Sequence, residues 1–303
     1  MDIIEQAIAG PFEGVLLRPA AGGRLGVLVL HGSYGTGTVE RCRALARSGL
    51  VALGIRWYGG EGQPPGICEI PIETFTHALD LLHREGIERL SVLGLSKGAE
   101  AALWLSILDQ RVDAVVALSP TSVTWPNMGA GNDGRSRPWR SSWTWHGEPL
   151  PFVPLDEAGI PEAQEEDGLV SLRGWYERSR ELYPERYEAA AIPVERTEAE
   201  FVLVAGGDDR TWPCLPAARA LKDRRAALGL PTVLVERGAA GHRPRLPGEG
   251  PAAPATHLRY GGTDADDAAL GAAAWPHILS ALRGAGRSAD LGRRHSTAHL
   301  NPR

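Results

Sequence analysis

Residues 89–100 read RLSVLGLSKGAE, and the rest of the prediction depends on them. An apolar run leads into the motif GLSKG at residues 94–98, and strong helix formers fill residues 99–108. A glycine–any–serine–any–glycine motif between a strand and a helix predicts a nucleophile elbow, a sharp turn that lifts the hydroxyl of Ser96 above the end of a sheet. Its two glycines leave room for a strained backbone at the turn. The alternative is an ordinary exposed serine in a loop between a strand and a helix.

Apolar runs alternate with amphipathic stretches on both sides of this motif. Strands are predicted at residues 12–18, 25–30, 50–57, 90–95, 112–118, 200–204 and 231–236. Helices are predicted at residues 39–48, from Pro71 onward, and at 99–108, 173–182, 213–228 and 264–282. Continuous apolar runs are typical of strands buried on both faces of a parallel sheet. The alternation predicts a doubly wound, mostly parallel α/β sheet, and the elbow makes the α/β-hydrolase fold the expected one.

The alternation stops between about residues 120 and 198. A long irregular segment inside a compact domain is usually functional or disordered, and the density of tryptophan here argues against disorder. We predict a lid over the carboxyl ends of the strands, where open α/β sheets bind ligands; a surface embellishment is the alternative. We therefore expect one α/β-hydrolase domain over residues 1–283, with this lid inserted, and a flexible tail over residues 284–303.

Composition excludes several classes of protein. The 303 residues carry a formal net charge of -5, which is not the basic balance of a nucleic-acid-binding protein. No apolar run has membrane-spanning length, and the N-terminus lacks the basic region of a secretory signal. Three scattered cysteines show no metal-ligand spacing and fit the reducing cytosol. We expect no cofactor, metal, nucleic-acid or membrane partner.

The order of three residue types along the chain predicts the catalytic chemistry. A serine hydroxyl needs a base to take its proton, and the base needs a carboxylate to orient it. α/β-Hydrolases supply these groups in the order serine, acid, histidine. Ser96, Asp209 and His242 follow that order, and each comes directly after a predicted strand, so all three are expected at one edge of the sheet. Asp208 competes with Asp209, although a role as a turn or helix cap suits it better.

The competing histidines lie in less suitable places. Those that follow the acid in the chain are His257, His277, His295 and His299. His277 falls inside a predicted helix and the last two in the tail, whereas His242 alone sits in a short loop straight after a strand. We therefore prefer His242.

An oxyanion hole needs two N–H donors. The backbone of Lys97, which follows the nucleophile, is the first expected donor. Ser33 or Tyr34, in the loop after the strand at residues 25–30, is expected to supply the second, and the sequence does not separate them. The Lys97 side chain is expected to be solvated or paired with an acid rather than catalytic.

Several motifs resemble one family, that of the acyl-CoA thioesterases and bile-acid-CoA:amino-acid N-acyltransferases. The similar stretches are EIPIETF at 69–75, GLSKGAE at 94–100, SSWTW at 141–145, PLPF at 149–152, GGDDRTWP at 206–213, GH at 241–242, GGT at 261–263 and AWP at 274–276. They occur in the family's order over roughly residues 12–283. The resemblance implies an α/β-hydrolase fold and activity on acyl thioesters.

The resemblance also bears on individual residues. In this family the acid is the second of the paired aspartates, which implies Asp209. The amino-acid-conjugating members carry cysteine at the elbow, so Ser96 resembles the thioester hydrolases. Members often have an N-terminal β-sandwich domain, and the residues before the first predicted strand are too few for one. The acyl group is therefore expected to have a different binding surface here.

We predict a cytosolic serine hydrolase that cleaves an acyl-CoA or a carrier-protein thioester through an acyl-enzyme. Trp143, Trp145 and Trp212 are expected to bind the acyl chain. Three arginines in the irregular segment are either a solvated basic loop or contacts for carrier phosphates: Arg135, Arg137 and Arg140. The alternatives are acyl transfer to an amine or alcohol, ester or lactone hydrolysis of the dienelactone-hydrolase type, and a non-catalytic scaffold.

Overall fold

A computed structural model of the protein describes residues 2–10, 12–33, 38–159 and 168–285. Its strands are β1 (Ile3–Ile8), β2 (Glu13–Pro19), β3 (Leu25–Leu30), β4 (Val51–Arg56), β5 (Ile70–Pro71), β6 (Arg89–Leu95), β7 (Val112–Leu118), β8 (Trp143–Trp145), β9 (Glu148–Pro149), β10 (Glu200–Gly206) and β11 (Thr232–Arg237). Its helices are α1 (Thr38–Arg47), α2 (Glu73–Arg84), α3 (Lys97–Leu108), α4 (Arg173–Leu182), α5 (Pro184–Ala189), α6 (Cys214–Ala226) and α7 (Asp264–Arg283), with a 3₁₀ turn at Val194–Arg196.

Eight of the strands form one sheet in the order β1-β2-β4-β3-β6-β7-β10-β11. Strand β2 runs antiparallel to β1 and to β4, and every other pairing in this sheet is parallel. The carboxyl ends of β3, β6, β7, β10 and β11 therefore meet at one edge. A mostly parallel, doubly wound α/β sheet was the predicted fold class, and it is confirmed.

Helices cover both faces of this sheet. Alternate residues of a strand point to opposite faces, so Leu28 and Leu30 of β3 join one core while Val27 and Val29 join the other. The first core also receives α2 and α3, and the second receives α1 and α7. The inner strands β3, β4, β6, β7 and β10 are largely apolar because both of their faces are covered, whereas the edge strands β1 and β11 are partly exposed.

Residues 119–199 connect β7 to β10, and we call them the insertion. Its described parts include β8 and β9, which form a small sheet with β5, a strand that precedes the elbow in the chain. Trp143 of β8 packs against Trp57 and Phe75, at ring-centroid distances of 5.4 and 6.0 Å. Buried aromatic rings therefore join the insertion to the first core.

Two local predictions differ from the structure. Strand β1 was not predicted, because four of its six side chains are exposed and the run lacks the apolar signal of an inner strand. Pro71 was predicted to begin a helix, but it ends β5 and the helix begins at Glu73. The reason is tertiary, since the Ile70 N–H donates to the Ser142 carbonyl in the insertion. None of the helices in the described ranges is long and apolar enough to cross a membrane.

Candidate active site

Ser96 occupies a strained turn at the carboxyl end of β6. The strand ends at Leu95 and α3 begins at Lys97, so a single residue turns the chain. Its backbone angles are φ 57° and ψ −120°, a conformation that residues with a side chain rarely adopt. The Ser96 N–H donates to the Leu118 carbonyl (3.0 Å), and its own carbonyl accepts from the Ala99 N–H (2.9 Å). These bonds tie the turn to β7 and to the first turn of α3.

Glycine is needed on both sides of Ser96 because backbone atoms approach too closely for a side chain. A Cβ atom on Gly94 would lie 2.0 Å from the Gly98 carbonyl oxygen. A Cβ atom on Gly98 would lie 2.5 Å from the His31 carbonyl oxygen. Gly32, in the loop after β3, also faces the serine, since a Cβ atom there would lie 3.1 Å from the Ser96 Cβ. The motif that predicted the elbow therefore has a steric cause in the fold.

Asp209 and His242 form a buried acid–base pair. The Asp209 Oδ2 lies 2.7 Å from the His242 Nδ1. The other carboxylate oxygen, Oδ1, accepts from the backbone N–H groups of Thr211 (2.8 Å) and Trp212 (3.1 Å). A carboxylate held in this way keeps the Nδ1–H tautomer of the imidazole, which leaves Nε2 as the basic nitrogen.

Hydrogen bonds of its main chain hold His242 at the carboxyl end of β7, the strand next to β6. Its carbonyl accepts from the Ser119 hydroxyl (2.9 Å), directly after β7, and its N–H donates to the Tyr260 carbonyl (2.9 Å). The imidazole contacts two rings, Trp212 in a T-shaped arrangement at a centroid distance of 5.7 Å and Tyr260 stacked at 6.2 Å. Ser96 and His242 are thus each attached by a hydrogen bond to the carboxyl end of β7.

The neighbouring aspartate and the other histidines make different contacts. The Asp208 carboxylate accepts from the Gly262 N–H (2.9 Å) and from the Arg210 Nε (2.8 Å), so it serves the loop before α7. Of the competing histidines, His277 lies within α7, as the sequence indicated. His295 and His299 fall outside the described residues.

Of the three residues expected to donate to the oxyanion, the structure describes Lys97 and Ser33. The backbone N–H of Lys97 is the first of α3, and the first N–H groups of a helix have no partner within the helix. Ser33 follows β3, and its carbonyl accepts a hydrogen bond from the Tyr58 hydroxyl. Tyr34, the other candidate, lies outside the described residues. The loop that carries Ser33 nevertheless approaches the serine, because Gly32 faces its Cβ atom.

The Lys97 side chain is buried and paired with an acid. Its Nζ lies 3.1 Å from Glu100 Oε2, and it also donates to the Ser142 hydroxyl (2.8 Å) and the Trp125 carbonyl (3.0 Å). Burial lowers the pKa of Lys97 and raises the pKa of Glu100, and the pairing opposes both shifts. Of the two environments we expected, pairing is correct and solvation is wrong. Glu100 was not predicted, although a lysine and a glutamate three residues apart on an otherwise apolar helix indicate a possible pair.

The three tryptophans predicted to bind substrate lie in different environments. Trp143 is fully buried, and its Nε1 donates to Glu100 Oε1 (2.7 Å), which favours a structural role. Trp145 is half-buried and packs against His146. Trp212 is 2% exposed, contacts the His242 ring, and donates through its Nε1 to the Ser119 carbonyl (3.1 Å). Trp212 is thus the member of this set that touches the acid–base pair.

Trp212 also borders a cavity of about 450 Å³ between the insertion and α6, which we call the apolar cavity. Its mostly apolar lining includes Pro120, Val123, Trp125, Tyr176, Trp212 and Ala217. Of these six residues, Trp212 alone was predicted to contact the substrate. The arginines suggested as phosphate contacts do not line it, and Arg140 pairs instead with Glu69 (2.6 Å). Within the described ranges, no group of His, Cys, Asp and Glu side chains is arranged to hold a metal ion.

Solved structures resemble the chain in fold. A Klebsiella pneumoniae protein assigned as a dienelactone hydrolase superposes with a TM-score of 0.57 at 13% identity, covering 93% of this chain and 99% of its own. A dienelactone hydrolase-like promiscuous phosphotriesterase from metagenomic libraries gives 0.53 at 15% identity, covering 94% and 99%. The sheet order and these similarities confirm the α/β-hydrolase fold.

Relatives in sequence are acyl-CoA enzymes. Mouse acyl-coenzyme A thioesterase 6 is 26% identical over 219 residues, and human acyl-coenzyme A thioesterase 1 is 26% identical over 212 residues. Rat acyl-coenzyme A amino acid N-acyltransferase 2 is 25% identical over 230 residues. These matches cover 71%, 69% and 74% of this chain, and 47%, 46% and 50% of the relatives. The chain thus spans about half the length of the relatives it matches.

The family profile described as BAAT / acyl-CoA thioester hydrolase C terminal matches residues 70–285. That range begins at β5 and includes the elbow, the insertion, the acid–base pair and α7. It confirms the resemblance seen in the sequence motifs. The chain therefore belongs to the BAAT / acyl-CoA thioester hydrolase C-terminal family.

Proposed function

We propose that this protein is a serine hydrolase that cleaves acyl thioesters, with acyl-CoA as the substrate class, through an acyl-enzyme. One observation carries the proposal: the strained Ser96 and the buried His242–Asp209 pair are both attached to the carboxyl end of β7. The names of the relatives support the thioester, and the three unpaired, buried cysteines Cys42, Cys68 and Cys214 support a cytosolic site of action.

In the proposed mechanism, the Ser96 hydroxyl attacks the thioester carbonyl while His242 Nε2 takes its proton. Asp209 stabilises the imidazolium that forms. The Lys97 N–H, with Ser33 or Tyr34 as second donor, binds the oxyanion. The thiolate then leaves and accepts the proton held by His242, which restores the neutral imidazole. His242 Nε2 next takes a proton from water as the water attacks the acyl-enzyme, and it returns that proton to Ser96 when the free acid leaves. A thiolate is a good leaving group, so the first step needs little acid assistance.

The apolar cavity is the proposed site for the acyl chain. Its Trp212 wall packs against the His242 ring, so a chain held there has its carbonyl near the acid–base pair. A cavity of about 450 Å³ lies within the size range of small-molecule sites. The insertion forms much of its wall and is proposed to act as the lid. Of the three tryptophans predicted to bind the acyl chain, Trp212 is kept in this proposal. Trp125 and Tyr176 replace Trp143 and Trp145, which do not line the cavity.

Acyl transfer is the second candidate, because the rat N-acyltransferase is among the relatives. Ester or lactone hydrolysis and transfer to an amine use the same acyl-enzyme and differ in the leaving group or the final acceptor. Product analysis separates them: incubation of acyl-CoA with glycine or taurine yields free acid from a hydrolase and an amide from a transferase. The same assay with an acylated carrier protein shows whether the protein also accepts a thioester carried by a protein instead of CoA.

The nucleophile is tested by labelling with a fluorophosphonate probe and mapping the adduct. We expect one adduct on Ser96 and loss of acyl-CoA hydrolysis by about 10⁴-fold or more in Ser96→Ala. Ser136→Ala, at an exposed serine of the insertion, is the matched control and should label and turn over normally. Labelling that persists in Ser96→Ala would refute the assignment.

A further inference from the structure

The residue that follows β7 has a strained backbone, as the elbow serine does. Among the residues that the structure describes, four non-glycine residues have a positive φ angle, and of these Ser96 and Ser119 are the two that are buried. Ser119 is fully buried, has φ 47°, and precedes Pro120. A side chain is unfavourable at this φ angle, and a residue before proline normally takes an extended conformation. Contacts of the surrounding structure therefore have to offset the strain.

Three hydrogen bonds hold Ser119 in this conformation. Its N–H donates to the Val204 carbonyl of β10 (2.8 Å). Its hydroxyl donates to the His242 carbonyl (2.9 Å), and its own carbonyl accepts from the Trp212 Nε1 (3.1 Å). The N–H, the hydroxyl and the carbonyl of this one residue thus all have partners, in three segments that follow the insertion in the chain.

The same turn is connected to each of the proposed catalytic residues. The Ser119 hydroxyl binds the main chain of His242 directly. Trp212, whose side chain binds the Ser119 carbonyl, donates its own N–H to Asp209 Oδ1 (3.1 Å). The carbonyl of the preceding residue, Leu118, accepts from the N–H of the proposed nucleophile (3.0 Å). Supports of the nucleophile, the acid and the base therefore meet at two consecutive residues.

We infer that Ser119 is a positioning residue of the proposed catalytic site. It fixes the main chain of His242 and thereby the distance from the imidazole Nε2 to the Ser96 hydroxyl. The inference rests on the proposed function, because that distance matters to the reaction only if Ser96 is the nucleophile. A displacement of about 1 Å in such a site lowers the rate about 100-fold.

His242 is held at three points, and Ser119 supplies one of them. Asp209 binds the ring Nδ1 (2.7 Å), and the Tyr260 carbonyl accepts from the main-chain N–H (2.9 Å). The Ser119 hydroxyl donates to the remaining main-chain group, the carbonyl, of a residue that is 4% exposed. A buried carbonyl that loses its donor is costly, so without this hydroxyl the peptide group turns toward another donor and carries the imidazole with it.

The strained turn and the hydroxyl can be separated by mutation. Glycine adopts a positive φ angle without strain, so the backbone conformation alone does not require serine. Ser119→Gly and Ser119→Ala both remove the donor, but the glycine variant relieves the strain and the alanine variant keeps it. The glycine variant should therefore unfold at a higher urea concentration than the alanine variant.

The inference is tested by steady-state hydrolysis of hexanoyl-CoA. We expect kcat to fall about tenfold to 100-fold in both variants, while KM changes less than about twofold. If Ser119 served stability alone, activity would follow stability and Ser119→Gly would keep the kcat of the unaltered enzyme. That result, or an unaltered kcat in both variants, would overturn the inference.

The bond from Trp212 gives Ser119 a second route to the reaction, through the apolar cavity. Trp212 lines that cavity, so a disturbed wall would affect long acyl chains more than short ones. We expect kcat to fall by the same factor on hexanoyl-CoA and dodecanoyl-CoA, because His242 acts on every substrate. A loss confined to dodecanoyl-CoA would assign Ser119 to the cavity and contradict a role at His242.

Ser106→Ala is the matched control. Ser106 is also fully buried, and its hydroxyl also donates to a main-chain carbonyl, that of Leu103 (2.8 Å) in the same helix. This variant should keep the kcat and KM of the unaltered enzyme. An equal loss of kcat in Ser106→Ala and Ser119→Ala would show that the loss of any buried hydroxyl has this effect, which would remove the special role of Ser119.

A structural measurement separates this inference from the proposed function. Crystal structures of the unaltered protein and of Ser119→Ala give the distance from His242 Nε2 to Ser96 Oγ without turnover. We expect the distance to change by about 0.5 Å or more in the variant, and an unchanged distance would overturn the inference. A changed distance in a protein whose unaltered form hydrolyses no acyl-CoA and reacts with no fluorophosphonate would count against the hydrolase proposal alone.

Discussion

Among single residues, Lys97 and Glu100 join the elbow helix to the insertion. Both are fully buried, and Glu100 accepts from the Trp143 Nε1 and from the Trp125 N–H (3.3 Å) in addition to Lys97. The spacing of Lys97 and Glu100 could be seen in the sequence, but their burial could not be predicted. The sequence showed a lysine three residues before a glutamate, but their burial depends on Trp125 and Ser142 folding back over the helix. Ser96, Asp209 and His242 could be proposed from the sequence, because a motif marks the serine and the two other residues follow predicted strands in the order acid, then histidine.

Lys97→Met should lower the free energy of unfolding by about 3–5 kcal/mol, because it leaves the Glu100 carboxylate buried without its counter-charge. Adding Glu100→Leu should recover part of that loss. Urea unfolding of both variants measures this. Arg24→Gln, which breaks the exposed Arg24–Glu88 pair, should cost about 1 kcal/mol or less. A Lys97→Met variant as stable as Arg24→Gln would contradict the expectation.

Gly98→Ala should reduce hydrolysis by about 100-fold or more, because displacement of a nucleophile by a fraction of an ångström has that effect. The new Cβ would lie 2.5 and 2.6 Å from the carbonyl oxygens of His31 and Leu30, so the turn at Ser96 has to move. Gly23→Ala is the matched control, since its nearest neighbour would be at 3.5 Å. Steady-state kinetics that are equal for the two variants would argue against the steric account.

At the scale of elements, α7 supports the loop that carries His242. Thr263 caps the helix by accepting from the Asp266 N–H (3.1 Å), and Asp267 in the first turn accepts from the Gly241 N–H (2.7 Å). The predicted α7 began at the same residue as the observed helix, because the cap and the acidic first turn are local signals. The short strands β8 and β9 were missed, because two or three residues have no measurable period.

Asp267→Asn should stabilise the protein above neutral pH. Burial raises the pKa of Asp267 to about 6, so the folded state holds this proton more tightly than the unfolded chain, whose carboxyl titrates near 4. Its contribution to stability is therefore complete below about pH 4 and is lost as the pH rises through 6.

At pH 7.5 the Asn variant, which retains an acceptor for the Gly241 N–H, should gain about 1–2 kcal/mol in urea unfolding. The gain should shrink toward pH 4. Asp223→Asn on the exposed face of α6 is the control and should show no such pH dependence. A gain that is constant from pH 4 to pH 8 would show that the carboxyl titrates normally.

Ala217→Leu in α6 should shorten the acyl chains that the enzyme accepts. The residue lines the apolar cavity, and the added methyl and methylene groups would fill part of its volume. We expect kcat/KM for dodecanoyl-CoA to fall about tenfold or more, with little change for butanoyl-CoA. Ala226→Leu, at the exposed last residue of α6, is the control. An equal loss for both chain lengths would remove the cavity from acyl recognition.

At the scale of the whole molecule, two cores enclose the sheet, and each of them contains one cysteine. Cys68 is buried near the first core, Cys214 belongs to it, and Cys42 belongs to the second. Continuous apolar strands predicted a sheet covered on both faces, so this arrangement followed from the sequence. The apolar cavity could not be predicted, because segments far apart in the chain border it.

Ellman's reagent at pH 8 should react with the native thiols only as fast as the protein unfolds. Burial raises the pKa of Cys42 to about 12 and raises the pKa of Cys68 and Cys214 as well, so thiolate is scarce and access is blocked. Denaturation in guanidinium should release all three thiols at once. A rapid burst from the native protein would mean that one core opens locally.

The insertion leaves β7 at the carboxyl edge of the sheet and returns at the opposite edge, where Glu200 of β10 pairs with Ala114. It is thus an enlarged version of the ordinary crossover between two parallel strands. Because β10 keeps its register whatever the length of that crossover, the segment is open to evolutionary exchange. A lineage that replaced this one connection would keep Ser96, Asp209 and His242, the proposed catalytic residues, while changing the wall of the apolar cavity.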